Sequence, residues 1–257
     1  MGCLLSLANM LVGVTATNVT AATGYANSYL TDGNVASAWR SSAGAASFEF
    51  KFDLGVAQSP DFVAGFDMLG VTKSITDVML YHSPDAVTYT AVETTAWSWA
   101  SVANARGDFS RRFAEVSKRY WKLIVWLAGS SVLDVGEIWL GKVYVPEKTF
   151  SRKSVDKARG NVLNTTDGGA TFVGSLSAYR TQMQLSFSML KQAQHESIVE
   201  IVDTVNGAAS PVVLVPNAAN QKDCYHGRIG DSAPWEEGGN SRYEGLTISF
   251  SEDGRAL

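Results

Sequence analysis

Trp97 and Trp99 alternate with Ser98, and Arg106 follows in a Gly-containing loop. A strand through 97–99 would aim both indoles the same way beside a guanidinium. Such a set can hold a sugar, because indole faces cover the apolar side of a pyranose while a charged group reaches its hydroxyls. The same tryptophans suit the core of a β-sandwich equally well. Catalytic chemistry finds less to work with. The histidines are His82, His195 and His226, and Cys224 and His226 would share one face of a strand. A nucleophilic pair also needs an orienting group and an oxyanion hole, and no Gly-x-Ser-x-Gly turn is present. Glu236 and Glu237 fall in the Gly-rich stretch Pro234 to Ser241, which reads as a polar loop, whereas acid–base catalysis needs carboxyls held in fixed geometry. No catalytic residue is nominated, and the chain is expected not to be an enzyme.

The elements that would position these residues are β-strands. Asp32-Gly33-Asn34 makes a tight turn whose Gly tolerates positive φ, and Trp39 follows at a distance that returns its ring beneath the turn. From Ser47 to Phe52, Phe48, Phe50 and Phe52 alternate with Glu49 and Lys51, the period of a half-buried strand. Further strands are expected at Phe62 to Leu69, Val78 to Tyr81, Tyr89 to Val92, Arg111 to Ala114, Tyr120 to Trp126 and Glu137 to Val145. Ser83-Pro84-Asp85 and Ala128 to Ser131 supply turns between them. The 257 residues carry 46% apolar side chains, enough to bury a core in each of two domains, and Pro146 marks the boundary. The expected domains are 1–145, a β-sandwich, and 146–257, a β-rich domain.

In the second half, Lys148 to Gly160 reads as a basic, exposed first strand, Thr165 to Gly169 as a turn, and Ala178 to Leu190 as a strand with Met183, Leu185, Phe187 and Met189 on one face. Ile198, Ile201, Val202 and Val205 sit at helical spacing, which predicts an amphipathic helix over 191–206 that stops at Asn206-Gly207. Val212 to Val215, bracketed by Pro211 and Pro216, suits an edge strand, and Tyr243 to Phe250 closes the domain. The net charge of −4 is shared by both halves, with ten Lys/Arg against twelve Asp/Glu in 1–145 and eleven against thirteen in 146–257. Neither half has the basic excess of a nucleic-acid binder. Cys3 and Cys224 are too few and too far apart for a disulfide framework. Leu4 to Val14 is apolar, but the first basic residue is Arg40, so the segment reads as ordered mature chain. Met1-Gly2-Cys3-Leu4-Leu5-Ser6 fits a myristoylation pattern that often matches by chance, and no stretch is long enough for a membrane-spanning helix.

Leu30 to Asn34, Trp39, Phe52-Asp53-Leu54-Gly55, Ser83-Pro84-Asp85, Arg119 to Leu123 and Gly136-Glu137-Ile138 occur in the order seen in discoidin (coagulation-factor type C) domains. The first half resembles that family, which implies a mainly β fold opening with a galactose-binding-like jelly-roll β-sandwich. The resemblance also implies a structural calcium held by Asp32, Ser37 and Glu137, since a hard cation collects carboxylate and turn oxygens. An Asx turn at Asp32 and a basic partner for Glu137 are the alternatives.

Residues 146–257 are similar in pattern to the C-terminal region of bacteriophage virion proteins of the tail-tip or distal tail type, through Ser151-Arg152-Lys153, Leu185-Ser186-Phe187, the predicted helix, Pro211 to Pro216 and Leu246 to Glu252. That likeness implies a structural subunit made in the host cytoplasm and built into the virion tail. Its partners would be further copies of itself in a ring, other tail proteins and a host-surface glycan, with no nucleic acid and no membrane insertion. The alternative is a carbohydrate-binding module for glycan attachment, with Trp97, Trp99 and Arg106 as its site.

Overall fold

The alternation of Ser47 to Phe52 is realised in a 14-residue strand, Ala45–Gln58, the first long element of the chain. The computed structural model describes residues 3–70, 75–145, 152–158, 161–165, 171–175, 180–187, 190–193, 196, 199–200, 203, 205, 210–230, 236–238, 242–244 and 246–253. Contacts divide the chain into two compact units, 1–145 together with 212–225, and 146–211 together with 226–257.

In the first unit the strands are β1 (Leu4–Ser6), β2 (Trp39–Arg40), β3 (Ala45–Gln58), β4 (Phe62–Phe66), β5 (Leu69–Gly70), β6 (Ile75–Ser83), β7 (Thr90–Ala91), β8 (Trp97–Ser98), β9 (Phe109–Arg112), β10 (Lys118–Ser131), β11 (Leu133–Val135), β12 (Glu137–Gly141) and β13 (Val143–Tyr144), with one helical turn, α1 (Trp99–Val102). One antiparallel sheet runs β3-β10-β6-β7, with β8 also on β6; a second runs β12-β4-β9. Phe48, Phe50 and Phe52 of β3 point inward with Trp121, Leu123 and Val125 of β10 and Val78 and Leu80 of β6, and meet Val63, Phe109, Ile138 and Leu140 of the second sheet. Trp39 is fully buried among them, edge-on to Phe50 at 5.3 Å, and its indole N–H donates to Asn27 Oδ1 at 2.9 Å. The expected break at Ala128 to Ser131 is taken up inside β10, which runs on to Ser131 with a register shift after Trp126.

Two strands of the β12-β4-β9 sheet, β4 and β12, are buried on both faces. Every residue of β4 and β12 is buried, and the side chains alternate between two cores. Val63, Ile138 and Leu140 enter the sandwich, whereas Phe62, Ala64, Phe66 and Trp139 pack with Leu4, Val213, Val215 and Cys224. A strand covered on both faces loses the polar half of its alternation, which explains the continuous apolar reading of Phe62 to Phe66. The covering layer joins two stretches far apart in sequence: Leu4, Leu5 and Ser6 pair antiparallel with Val215, Leu214 and Val213. Val212–Val215 is therefore not an exposed edge; all its residues are buried, and they bring 212–225 into the first unit.

In the second unit, Arg152–Ala158 pairs antiparallel with Arg180–Phe187, which pairs with Leu246–Glu252. Gly227, Arg228 and Ile229 lie opposite Glu252, Ser251 and Phe250. Met183, Leu185, Ile229, Ile248 and Phe250 are buried, as their alternation requires. Phe187's side chain and Met189 lie outside the described residues. Asn161–Thr165 and Thr171–Ser175 pair as a hairpin, and the expected turn at 166–169 lies outside the described residues. Gln192, Ala193, Glu196, Val199, Glu200 and Asp203 are helical; Ile198, Ile201, Val202 and the stop at Asn206-Gly207 are outside the description. The stretch read as a polar loop contains instead a strand, Glu236–Gly238, paired with Arg242–Glu244. Among the described residues no helix is long and apolar enough to cross a membrane.

Candidate functional site

Gly33 takes φ 76°, a conformation open to Gly without a Cβ penalty. Asp32 Oδ1 accepts from the Asn34 backbone N–H at 2.9 Å, an Asx turn. Asn34 extends the motif, its Oδ1 accepting from the Ala36 N–H at 3.1 Å and its Nδ2 donating to Ser37 Oγ at 2.8 Å. Glu137 begins β12 and is wholly buried. Its Oε1 accepts from Asn9 Nδ2 at 2.9 Å and its Oε2 from the Gly33 N–H at 3.2 Å. The basic partner considered for Glu137 is not there: its hydrogen bonds come from amides, and among the described residues it forms no ion pair. Burial, and next the charge of Asp32, push its carboxyl up to about 9 against the amide bonds that lower it.

Two carboxyls close enough for the charge of one to raise the other, one of them buried, form a donor set that a hard cation would relieve. Among the described residues no group of three or more His, Cys, Asp or Glu is placed to hold a metal. A calcium ion here would therefore draw on Asp32, Glu137 and neutral turn oxygens, Ser37 Oγ included. The residues fit the ion in donor chemistry.

The three residues expected to bind sugar lie in different local surroundings. Trp97 is 5% exposed, packs in the sandwich core and donates its indole N–H to Glu93 Oε2 at 2.9 Å, with Arg111 over its ring. Trp99 does not continue the strand; it opens α1, half-buried, with its ring 5.8 Å from Phe109. Arg106 is committed within the first unit: Nη2 donates to the Cys224 carbonyl at 2.7 Å, Nε lies 3.1 Å from Asp108 Oδ2, and the guanidinium caps the Tyr225 ring at 4.4 Å. Trp97 thus packs in the core, and the run 97–99 leaves the extended conformation at Trp99. His82 packs edge-on against Trp121, and His226 Nδ1 lies 3.1 Å from Asp253 Oδ2 in the second unit.

A different cluster occupies the outer face of the β3-β10-β6 sheet. The register places Tyr81, Lys122 and Lys51 in one row, and Ser83, Tyr120 and Asp53 in the next. Tyr89, just before β7, folds over them, with Lys122 Nζ 4.8 Å and Lys51 Nζ 5.6 Å from its ring centroid. Lys122 also sits 4.9 Å from the Tyr81 ring, and Arg119 4.8 Å from that of Tyr120. Beside this face lies a cleft of about 360 Å³ lined by Thr15, Thr17, Lys51, Asp53, Tyr89 and Tyr120 among others. Asp53 is held by Arg119 at 2.6 and 2.8 Å and by the Gly55 N–H at 2.8 Å, which keeps its carboxyl at about 2. The three tyrosines come from separate stretches, and only the strand register and the Ser83 to Tyr89 turn bring them together. The one trace of this in the sequence is the outward alternation of Glu49, Lys51 and Asp53 against Tyr120 and Lys122.

No family model matches this chain, and no curated protein matches it. Solved structures overlap about half of it. The lectin domain of lectinolysin complexed with Lewis B antigen is 17% identical over 53% of this chain and 98% of its own, with a TM-score of 0.44. The CBM32-3 module of a family 31 glycoside hydrolase from Clostridium perfringens is 18% identical over 50% of this chain and 90% of its own, TM-score 0.41. A GH29 fucosidase of Ruminococcus gnavus in complex with fucose is 21% identical over 53% of this chain but only 27% of its own length, TM-score 0.42. Each is a partial likeness, and no residue of this chain takes a role from it.

Proposed function

We propose that the chain is a non-enzymatic glycan-binding protein whose first unit holds a saccharide in the cleft beside Tyr89 and Tyr120. The observation that carries this reading is the pairing of half-buried tyrosine rings with fixed polar groups around a cleft of about 360 Å³. A pyranose has an apolar C–H face and a hydroxyl rim; a phenol ring covers the first, while the hydroxyls of Thr15 and Thr17 meet the second. The role of 146–257 as a ring-forming part of a phage tail rests on the sequence pattern of that half alone, and the mass of the purified chain in solution tests it.

Glycan binding is tested by calorimetric titration of the full chain against a panel of host-surface oligosaccharides. Tyr89→Ala is expected to abolish binding while the melting temperature holds. A folded protein that binds no member of the panel overturns the reading.

A further inference from the structure

The charged groups around Tyr89 are not evenly matched. Arg119 and Asp53 form a bidentate pair. Lys122, whose side chain is only 14% exposed, lies 3.7 Å from Glu49. Asp85 Oδ1 accepts from the backbone N–H groups of Val87 and Thr88 and from the Ser83 hydroxyl at 2.7 Å, and Asp85 does not line the cleft. Lys51 is different: it lines the cleft and rests against the Tyr89 ring, and it forms no ion pair among the described residues. Lys51 and Asp53 are the charged residues of the cleft lining, and Asp53 is already spent on Arg119 and Gly55. A ligand entering the cleft therefore meets one ammonium that has no anion of its own.

Resting on the reading of this cleft as a glycan site, we propose that it selects acidic saccharides, with Lys51 pairing a carboxylate or sulfate while Tyr89 and Tyr120 stack on the sugar ring. The backbone of Lys51 is held by a bridge to Thr17: the Lys51 N–H donates to the Thr17 carbonyl at 3.1 Å and the Thr17 N–H to the Lys51 carbonyl at 2.8 Å. That pairing fixes the root of the side chain at the cleft wall, so little backbone freedom is lost on binding. A charge-assisted hydrogen bond at a partly exposed site favours the charged ligand by roughly tenfold. Salt screens such a contact, so the preference narrows as ionic strength rises.

The test is calorimetric titration of the full chain with matched pairs: tetragalacturonate and its methyl ester, sialyllactose and lactose, and a κ-carrageenan tetrasaccharide and its desulfated form. The expected result is that at least one acidic member binds about tenfold tighter than its neutral partner at low salt. In Lys51→Gln the two members of that pair should bind alike, and in Tyr89→Ala neither should bind. Equal affinity within every pair overturns the acidic preference and leaves the glycan site standing. Failure of all six probes to bind overturns the glycan site itself. A preference retained in Lys51→Gln, with the fold verified by its melting curve, also overturns the assignment to Lys51.

Discussion

Glu137 Oε2 accepts the Gly33 backbone N–H at 3.2 Å across 104 positions of sequence, so the first residue of β12 and the Asp32 turn are locked through a wholly buried carboxyl. The carboxyl is pushed up from 4.5 to about 9, first by burial and then by Asp32. A folded-state value above the unfolded one means that the stability linked to this proton is fully present below pH 4.5 and is lost as pH rises through 9. The slope between those limits is at most about 1.4 kcal/mol per pH unit. Thermal melts from pH 5 to 8.5 should show a decline that Glu137→Gln flattens, because the amide does not titrate. Millimolar calcium should reverse the decline by favouring the ionised form, with the larger gain at pH 8.5 and none in Glu137→Gln. Parallel slopes in the wild type and the variant would remove Glu137 from the account, and with it the calcium ion that the discoidin resemblance implies.

Trp97 and Tyr89 should separate stability from binding. Trp97→Ala empties a core site at 5% exposure and removes the donor to Glu93, a change that costs about 3–5 kcal/mol. Tyr89→Ala trims a half-buried loop ring and should leave the melting temperature within a few degrees while glycan affinity is lost. Chemical denaturation and calorimetry on the two variants check this. A stable Trp97→Ala that loses binding would restore the tryptophan to the site.

Much of the first unit was legible because its long strands have one wet face: Phe48, Phe50 and Phe52 are buried, and Glu49 and Lys51 are not. The Asp32 turn was legible for local reasons, since an Asx turn lies within the residues that spell it. Reach failed wherever the determinant was distant. Nothing in Val212–Val215 announces that its partner is Leu4–Ser6, because a buried apolar strand looks the same wherever it pairs. Trp97 and Trp99 fit a period of two over three residues, too short a window to exclude the turn of helix that α1 makes there. The Tyr81, Tyr89 and Tyr120 face is created by register, which a one-residue slip would erase. The carboxyl of Glu137 was visible as an acid, but that amides and not a basic side chain hydrogen-bond it became visible only in the fold.

Gly107 and Gly24 should respond differently to the same substitution. Both have positive φ, 82° and 88°. A Cβ on Gly107 would lie 2.6 Å from the Met68 carbonyl oxygen, whereas Gly24 has open space. Met68 cannot draw back freely, since its N–H donates to the Gly107 carbonyl at 2.9 Å and the Asp67 N–H to Asp108 Oδ1 at 3.1 Å. Gly24→Ala should therefore cost only the left-handed backbone penalty, about 1–2 kcal/mol. Gly107→Ala should cost clearly more, read as a lower urea midpoint. Equal midpoints would mean that the 67–68 and 104–108 segments yield without strain.

Cys3 and Cys224 should be inert in the folded chain and reactive only on unfolding. Both are fully buried, and burial pushes the Cys3 thiol up to about 11. At pH 8 that leaves about one thiolate in a thousand at Cys3. Cys224 packs with Leu4, Trp139 and Val215 in the layer over the second sheet, so a reagent must open that layer to reach it. The expected result is no labelling by an aromatic disulfide reagent in native buffer and release of both thiols in denaturant. Labelling across a urea titration should follow the loss of the β1 and Val212–Val215 pairing, because both cysteines flank it. Release of Cys224 at urea concentrations where the tryptophan fluorescence of the sandwich is still native would show that this layer opens on its own. Release of either thiol in native buffer at the rate of a free cysteine would contradict the packing of that layer.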